Sequence, residues 1–334
     1  MNIAFFEIQE GEKKELANQF KKHKVKFFAD FLSDQNINKI KDCEIISIFI
    51  YSKINQNVLS KLPKLKYIVT RSMGTDHIDF EACKKFNVKV SNAPHYGDNS
   101  VAEHTFGLIL SLSRNIHKAY LRNMNENHQI DGLKGFDIRD KTLGVIGTGR
   151  IGMNVIEIAR GFKMKVLAND HHPDKKLAKG LGFKYESLEK LLKESDIVTL
   201  HIPYCKENHH LINDKRLKLM KSNSLLINTA RGQIVDTSAL ISALNKGKLG
   251  GAGLDVIEGE DLIKEEKELL HNHTKLNVKK MNQLALDHKI IQNERVVFTP
   301  HIAFYSEEAI QRILDVTVEN IQSFIKSKPI NIVT

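Results

Sequence analysis

TLGVIGTGRIGMNVIEIARGFKMKVLAND, running from Thr142 to Asp170, decides how this chain is built. It begins with an apolar run, Leu143 to Ile146, suited to a buried parallel strand. Gly147, Gly149 and Gly152 follow in G-x-G-x-x-G spacing. Ile151, Val155, Ile158, Ala159 and Phe162 then recur at helical steps, and a second apolar run, Val166 to Ala168, leads to Asp170. In such a unit the first glycine permits a tight turn out of the strand. The second lets the backbone approach a pyrophosphate, and the third lets helix pack on sheet. The N–H groups at the start of the helix face the phosphates. Asp170 stands 23 residues after Gly147, where an acid accepts hydrogen bonds from an adenosine ribose. Three glycines alone would mark only a turn. The complete strand, turn, helix, strand and acid point to a dinucleotide site at Gly147, Thr148, Gly149, Arg150, Ile151, Gly152 and Asp170. An acid at Asp170 repels a 2′-phosphate, and His171, His172 and Pro173 supply no cation for one, so the cofactor expected is NAD.

Outward from this unit, 334 residues are too many for one ordinary core, and two domains are expected. The formal charge of +10 invites a nucleic-acid reading. The lysines, however, are spread along the whole chain with no basic face interleaved with aromatics, so no nucleic-acid partner is expected. Cys43, Cys83 and Cys205 are odd in number and far apart, which suits a reducing cytoplasm rather than a disulfide framework. Glu7 breaks the N-terminal apolar run, so no signal peptide is expected. Phe106 to Leu112 is far too short to span a membrane. His77, His104, His171, His172, His209 and His210 show no spacing of a closed metal site, and no metal is expected.

Before the glycine unit, strands are predicted over Asn2–Ile8, Val25–Phe28, Cys43–Ser52, Lys66–Ser72 and Val88–Ser91. Helices are predicted over Glu12–Lys22, Asn57–Leu62 and Phe80–Phe86, with Asp76 or Asp79 capping the last. Near-continuous apolar strands alternating with helices define a parallel sheet covered on both faces. A helix from Val101, with Asn99 or Ser100 as its N-cap, is apolar nearly all round and reads as a buried connection between domains. After Asp170 the pattern continues through helix Ser187–Lys193, strand Asp196–Ile202, strand Ser224–Ala230, helix Thr237–Lys246 and strand Gly251–Val256. A charged insertion over Glu260–Glu294 interrupts it; strand Arg295–His301 restores it. The chain ends in an amphipathic helix, Glu307–Lys326, with Ile310, Ile313, Leu314, Val318, Ile321 and Ile325 on one face. The fold class is therefore α/β with two doubly wound parallel-sheet domains.

Ligands of an open parallel sheet bind outside the carboxyl ends of its strands. Three chemically capable residues fall there: Arg231 in NTARG, Glu260 in DVIEGE and His301 in TPH. Singly, each would pass for a surface charge. Together, beside a dinucleotide unit, they suit the reduction of a 2-keto acid, in which negative charge grows on the carbonyl oxygen. Histidine can give that oxygen a proton near neutrality, a carboxylate can favour the charged imidazole, and arginine offers a planar fork to a carboxylate.

The residues RSMGTDHID (Arg71–Asp79), SVAEHTFG (Ser100–Gly107), LGVIGTGRIG (Leu143–Gly152), LHIPY (Leu200–Tyr204), LINTARG (Leu226–Gly232), GLDVIEGE (Gly253–Glu260) and TPHIAFY (Thr299–Tyr305) stand in one order along the chain. With them the chain resembles the D-2-hydroxyacid dehydrogenases, most of all their D-lactate dehydrogenase branch. The first seventy residues share only the pattern. The resemblance implies a Rossmann NAD domain over 100–301 and a discontinuous, flavodoxin-like substrate domain over 1–99 and 302–334, with a homodimer built through the region 101–140. It implies His301 as acid/base, Glu260 as its partner and Arg231 as substrate anchor. Glu258, two positions earlier, is the rival partner. Met73 and Gly74 would offer backbone N–H groups to the substrate carboxylate, Tyr96 would touch the substrate, and Phe304 would border its small side chain. Pro203, Thr229, Ala230 and Asp255 would line the nicotinamide end, although Asp255 could equally be structural. The activity implied is reduction of pyruvate to D-lactate. Reduction of glyoxylate, hydroxypyruvate or a branched 2-keto acid is the alternative. A dinucleotide-sensing corepressor is the alternative outside enzymes.

Overall fold

The computed structural model describes residues 1–260, 262–263 and 278–334. Asp261 and residues 264–277, part of the insertion expected over Glu260–Glu294, lie outside them. The chain divides into two compact units, Met1–Tyr96 with Tyr305–Thr334, and Gly97–Phe304.

The first unit holds strands β1 (Asn2–Phe5), β2 (Lys24–Phe27), β3 (Ile45–Ile48), β4 (Tyr67–Thr70) and β5 (Lys89–Ser91). They pair in parallel in the order β2-β1-β3-β4-β5, a flavodoxin-like sheet. The strands are shorter than the apolar runs that predict them, because the runs continue into buried loops: Phe6 and Ile8 stay in the core beyond β1. The terminal helix, Glu307–Ile325, returns to this sheet and buries Leu314, Val318 and Ile321 against Ile3, Phe5, Tyr67 and Val69. Each such side chain contributes about 1.5–3 kcal/mol relative to exposure, which accounts for the return of a segment so distant in sequence. Phe324 stacks on Tyr67 with ring centroids 4.1 Å apart.

The second unit holds β6 (Thr142–Ile146), β7 (Lys165–Asn169), β8 (Lys184–Tyr185), β9 (Ile197–Leu200), β10 (Ser224–Asn228), β11 (Leu249–Leu254) and β12 (Val296–Phe298). Their order is β12-β11-β10-β9-β6-β7-β8, so the topological reversal lies between β6 and β9. This is the dinucleotide-binding order with one strand added. The helix expected from Val101 runs over Asp98–Ser113 and is buried along Val101, Ala102, Thr105, Phe106, Leu108 and Ile109. Its N-cap is Gly97, not Asn99 or Ser100. Asp98 sits instead in the first turn, where a carboxylate suits the helix dipole, and pairs with Arg150. The capping expected of Asp79 is present, with the Ala82 N–H donating to its Oδ1 at 2.9 Å. Short elements without a clear period were not legible, among them helix Ile116–Met124 and helix Lys175–Leu181.

One buried acid on helix Val278–Ile291 makes a pH-dependent contribution. Asp287 is wholly buried, and burial pushes its carboxyl up to about 6, against hydrogen bonds from Gln283 and the Gly259 backbone. The folded state therefore holds the proton more tightly than the unfolded chain, whose Asp titrates at about 3.9. The stability from this group is complete below about 4 and is lost as the pH rises through about 6. Asp287→Asn should accordingly stabilise the protein by about 1–3 kcal/mol at pH 7.5 and by far less at pH 4.5. Thermal unfolding of both proteins at the two pH values checks this; equal gains at both would show that charge is not the cause.

Candidate active site

Six strand ends of the second unit form one level row. Asn169, Ile146, Leu200, Asn228, Leu254 and Phe298 are successive Cα partners across β7, β6, β9, β10, β11 and β12. Strands lie about 4.8 Å apart, so the row spans about 24 Å. Gly147–Arg150, Asp170, Pro203, Thr229–Arg231, Asp255 and His301 all follow within four residues of it. Their gathering on one sheet edge is thus a consequence of register, and the row is long enough to support an extended dinucleotide.

At the β6 end, Gly147 adopts φ +94°, a region open to glycine at no steric cost. A Cβ there would lie 2.7 Å from the His201 carbonyl carbon. Gly149 caps the helix Arg150–Gly161, and a Cβ built on it meets no atom within 4 Å. The absence of a side chain at Gly149 therefore serves no packing need within the protein; it leaves clear the approach to the helix N-terminus, where an anion binds. The Asp170 carboxylate accepts from the Thr148 N–H at 2.7 Å, the Thr148 hydroxyl at 2.9 Å and the His172 N–H at 2.8 Å. Burial works to raise its pKa, but these donors outweigh it and hold the group below the usual carboxylate range. Asp170 thus ties the glycine turn to β7 and keeps lone pairs for a ribose. Arg150 turns its guanidinium to Asp98. Asp170→Ala should weaken both NADH and NADPH by loosening the turn, NADH the more. Dissociation constants by fluorescence titration check it, and an unchanged ratio between the two would assign the ribose to another group.

At the other end, Asn228 bends the chain out of β10: its Oδ1 accepts from Ala230 N–H at 3.0 Å and its Nδ2 donates to the Arg231 carbonyl at 2.9 Å. Arg231 follows three residues past the row and donates from Nη1 to the Ala230 carbonyl at 2.8 Å. Thr229 shares a hydroxyl contact of 3.1 Å with Thr105. Asp255, 1% exposed, comes directly after β11. Its carboxylate accepts from the Ile302 and Ala303 N–H groups, both at 2.9 Å, and from the Thr299 hydroxyl. It is the anchor of the 299–303 segment, a structural task the sequence left open. His301, inside that segment, has φ +57°, an uncommon conformation for a residue with a Cβ that costs about 1–3 kcal/mol. Its N–H donates to the Asp255 carbonyl at 2.9 Å, so Asp255 fixes both the loop and the strained residue.

The His301 Nδ1 lies 3.0 Å from Glu260 Oε1 and 3.2 Å from Oε2. Glu258 is engaged elsewhere, 2.9 Å from His210 Nε2. Because a carboxylate only accepts, Nδ1–H faces Glu260 and Nε2 is left for a reacting oxygen. The Phe304 ring stands edge-on to the imidazole, with centroids 6.4 Å apart. His104 was not legible as part of this arrangement. It sits 2.9 Å from Thr299 Oγ1 and 3.6 Å from Asp255 Oδ1, and burial lowers its pKa against the pull of Asp255. Nothing in SVAEHTFG announces that its histidine supports a loop two hundred residues away.

In the first unit, Met73 and Gly74 lie in the turn after β4, and Tyr96 follows β5 by five residues. Ser72 Oγ donates to the Gly74 carbonyl at 2.6 Å, Asn92 Nδ2 to the Met73 carbonyl at 3.0 Å, and Arg312 Nε to the Tyr96 carbonyl at 2.8 Å. With their carbonyls occupied, these segments are held in shape. Buried Arg71 fastens the same edge, donating to Phe6 and Glu7 carbonyls at 2.8 Å.

A dinucleotide cradle and a carboxylate-paired histidine on one sheet edge define an NAD-linked oxidoreductase. Comparison with known proteins gives its kind. Residues 106–303 match the family described as D-isomer specific 2-hydroxyacid dehydrogenase, NAD binding domain. The chain is 35% identical over 333 residues to the D-lactate dehydrogenase of Escherichia coli, covering 98% of each chain. It is 38% identical over 307 residues to an aromatic 2-oxoacid reductase of Clostridium sporogenes, covering 90% of this chain and 89% of the other. The crystal structure of Aquifex aeolicus D-lactate dehydrogenase with NAD and lactic acid superposes with a TM-score of 0.87 at 39% identity, covering 98% of this chain and 96% of that one. The chain belongs to the D-2-hydroxyacid dehydrogenases, and its cofactor is NAD.

Proposed function

We propose that the protein reduces pyruvate to D-lactate, with His301 as proton donor, Glu260 as its partner and Arg231 as the anchor of the substrate. The observation that carries this reading is the 3.0 Å contact between His301 Nδ1 and Glu260, which orients the imidazole and leaves Nε2 for the carbonyl oxygen. NADH supplies the hydride when bound, against Gly147–Gly152, Asp170, Pro203, Thr229, Ala230 and Asp255. Arg231 presents a guanidinium fork to the substrate carboxylate or keto oxygen. Met73, Gly74 and Tyr96 are assigned to the same substrate. Phe304, whose ring stands edge-on to His301, is assigned to border the substrate side chain, and a bulky ring in that place favours a small 2-keto acid such as pyruvate. Initial rates with NADH against pyruvate, hydroxypyruvate, glyoxylate, 2-ketoisocaproate and phenylpyruvate test the choice. Pyruvate should give the highest kcat/KM; a preference for phenylpyruvate would reassign Phe304 as a stacking surface.

Glu260 holds the imidazole through Nδ1, so Glu260→Gln should lower kcat for reduction by about 10–100-fold and leave NADH affinity unchanged. Steady-state rates alongside NADH titration check this. An undiminished kcat would transfer the role to Glu258.

Two further assignments accompany the activity. Ile116, Tyr120, Leu121, Met124 and Ile130 are all at least half exposed around helix Ile116–Met124, an apolar surface that supports a homodimer through 101–140. The three cysteines are unpaired, which fits a reducing cytoplasm.

A further inference from the structure

Near the same sheet edge, a second group of side chains gathers that the reaction does not use. His209 and His210 follow the short turn Lys206–Asn208 beyond β9, and Glu258 lies in the turn beyond β11. One ligand atom from each of the three comes within 4.8 Å of the others. His210 Nε2 is 2.9 Å from Glu258 Oε1, while Glu258 Oε2 takes the Thr237 hydroxyl at 3.5 Å.

The His210–Glu258 contact by itself would be an ordinary ion pair. Two features go beyond that. The His209 ring stacks on that of His210 with centroids 3.9 Å apart and planes 21° apart, which brings a second imidazole nitrogen to the same carboxylate. His210 also holds φ +51°, secured by its N–H donating to the Gln233 carbonyl at 2.9 Å, so a strained backbone presents both rings on one side. The exposed His209 ring also stands edge-on to Tyr204, with centroids 6.0 Å apart and its Nδ1 3.5 Å from the Tyr204 hydroxyl, which holds it in the stack.

We propose that His209, His210 and Glu258 form an open, three-ligand site for a divalent transition-metal ion of the Zn2+ or Co2+ class. Two imidazoles and one carboxylate are a borderline-soft donor set that suits Zn2+ and leaves a fourth position to water. It is unlike the oxygen cages of Ca2+ or Mg2+. Tetrahedral coordination at about 2.0–2.1 Å places ligand atoms about 3.3 Å apart, so the side chains need to draw together by only about 1.5 Å. The exposed His209 ring can supply most of that movement. Spacing in the sequence could not show this site, because His209 and His210 adjoin each other and Glu258 arrives from a different strand end. The ion would tie the turn at 206–210 to the turn that carries Glu260 two residues after Glu258. The inference rests on geometry alone and holds whichever 2-keto acid is reduced.

The test is a titration of the full chain, freed of any tag and stripped of metal by chelator, with Co2+, followed by visible absorption. The expected result is the spectrum of four-coordinate Co2+, saturating at one ion per chain and abolished by competing Zn2+. His209→Ala, at an exposed position, should keep its melting temperature without metal and lose Co2+ affinity by roughly tenfold or more, since even outer partners of metal ligands are worth that much. Glu258→Gln should weaken binding likewise. Cys205→Ser and His172→Ala serve as controls and should leave the titration unchanged. Absence of the four-coordinate spectrum, or an affinity undiminished in His209→Ala, would overturn the site and leave His210–Glu258 as a plain ion pair.

Discussion

His301→Ala is expected to lower kcat for 2-keto acid reduction by about 10²–10⁴-fold while NADH still binds. The reason is local. His301 stands three residues beyond β12 with Nδ1 committed to Glu260, so its Nε2 is the atom proposed to deliver a proton to a carbonyl oxygen as negative charge develops there. Of the groups assigned to the cofactor, Gly147, Gly149 and Asp170 lie at the opposite end of the row, and Asp255 keeps its bonds to the backbone N–H groups of 301–303, because only the side chain at 301 changes. Replacing the strained histidine also relieves backbone cost only partly, because alanine retains a Cβ at φ +57°. Stopped-flow fluorescence for NADH binding, alongside steady-state turnover, separates the two effects. Loss of NADH binding together with turnover would mean that the imidazole holds the 299–303 segment rather than the proton.

Arg231→Gln should reduce kcat/KM by about 10²–10³-fold, with the loss shared between a raised KM and a lowered kcat. Arg231 is placed by an Asn228 turn, three residues beyond a strand whose end is level with that of β12. One strand, β11, lies between β10 and β12, so the two chain positions are about 10 Å apart across the sheet. A substrate of three carbons fits that interval. Glutamine keeps hydrogen-bonding capacity but loses the charge and the fork, and Arg231→Lys should recover only part of the activity because an ammonium cannot bind a carboxylate at two points. Equal activity of the lysine and arginine forms would show that the charge alone matters.

Much of this was legible before any coordinates, and the reasons are physical. The β6–helix–β7 unit was readable because a buried parallel strand, a glycine turn and an amphipathic helix each impose their own period, and Thr142–Asp170 obeys all three. The stripe Ile310, Ile313, Leu314, Val318 and Ile321 announces an amphipathic terminal helix that needs an apolar cover; its return to the first sheet was implied by the resemblance alone, and Leu314, Val318 and Ile321 do pack there, against β1 and β4. The places of Arg231 and His301 at the sheet edge could be counted from the apolar runs they close, whereas Asp255 falls inside the predicted strand Gly251–Val256, which the structure ends at Leu254. The partners of these residues could not be counted. Glu258 and Glu260 alternate in one short turn, and only the folded backbone separates them, one towards His210 and the other towards His301. The support from His104 depends on a contact between a helix and a loop 195 residues apart. The Gly97 cap carries no side chain to announce it, and the neighbouring Asp98 pairs with Arg150 rather than capping the helix end.

The unit boundaries have a similar explanation. The structure divides the chain after Tyr96 and after Phe304, each about three residues from the positions the resemblance implied. On the first side the helix Asp98–Ser113 starts early and carries Gly97 with it. On the second, Asp255 binds the 299–303 segment so firmly that the loop belongs with β11 rather than with the terminal helix.

The proposed function comes down to one transfer: a hydride to the carbonyl carbon and a proton from His301 to its oxygen, on one face of the substrate only. Single-turnover reduction of pyruvate with NADH deuterated at the transferring position, followed by chiral chromatography and mass spectrometry of the product, measures this directly. D-lactate carrying one deuterium at C2 is the predicted product. L-lactate, a racemate, or lactate without deuterium at C2 would contradict the account.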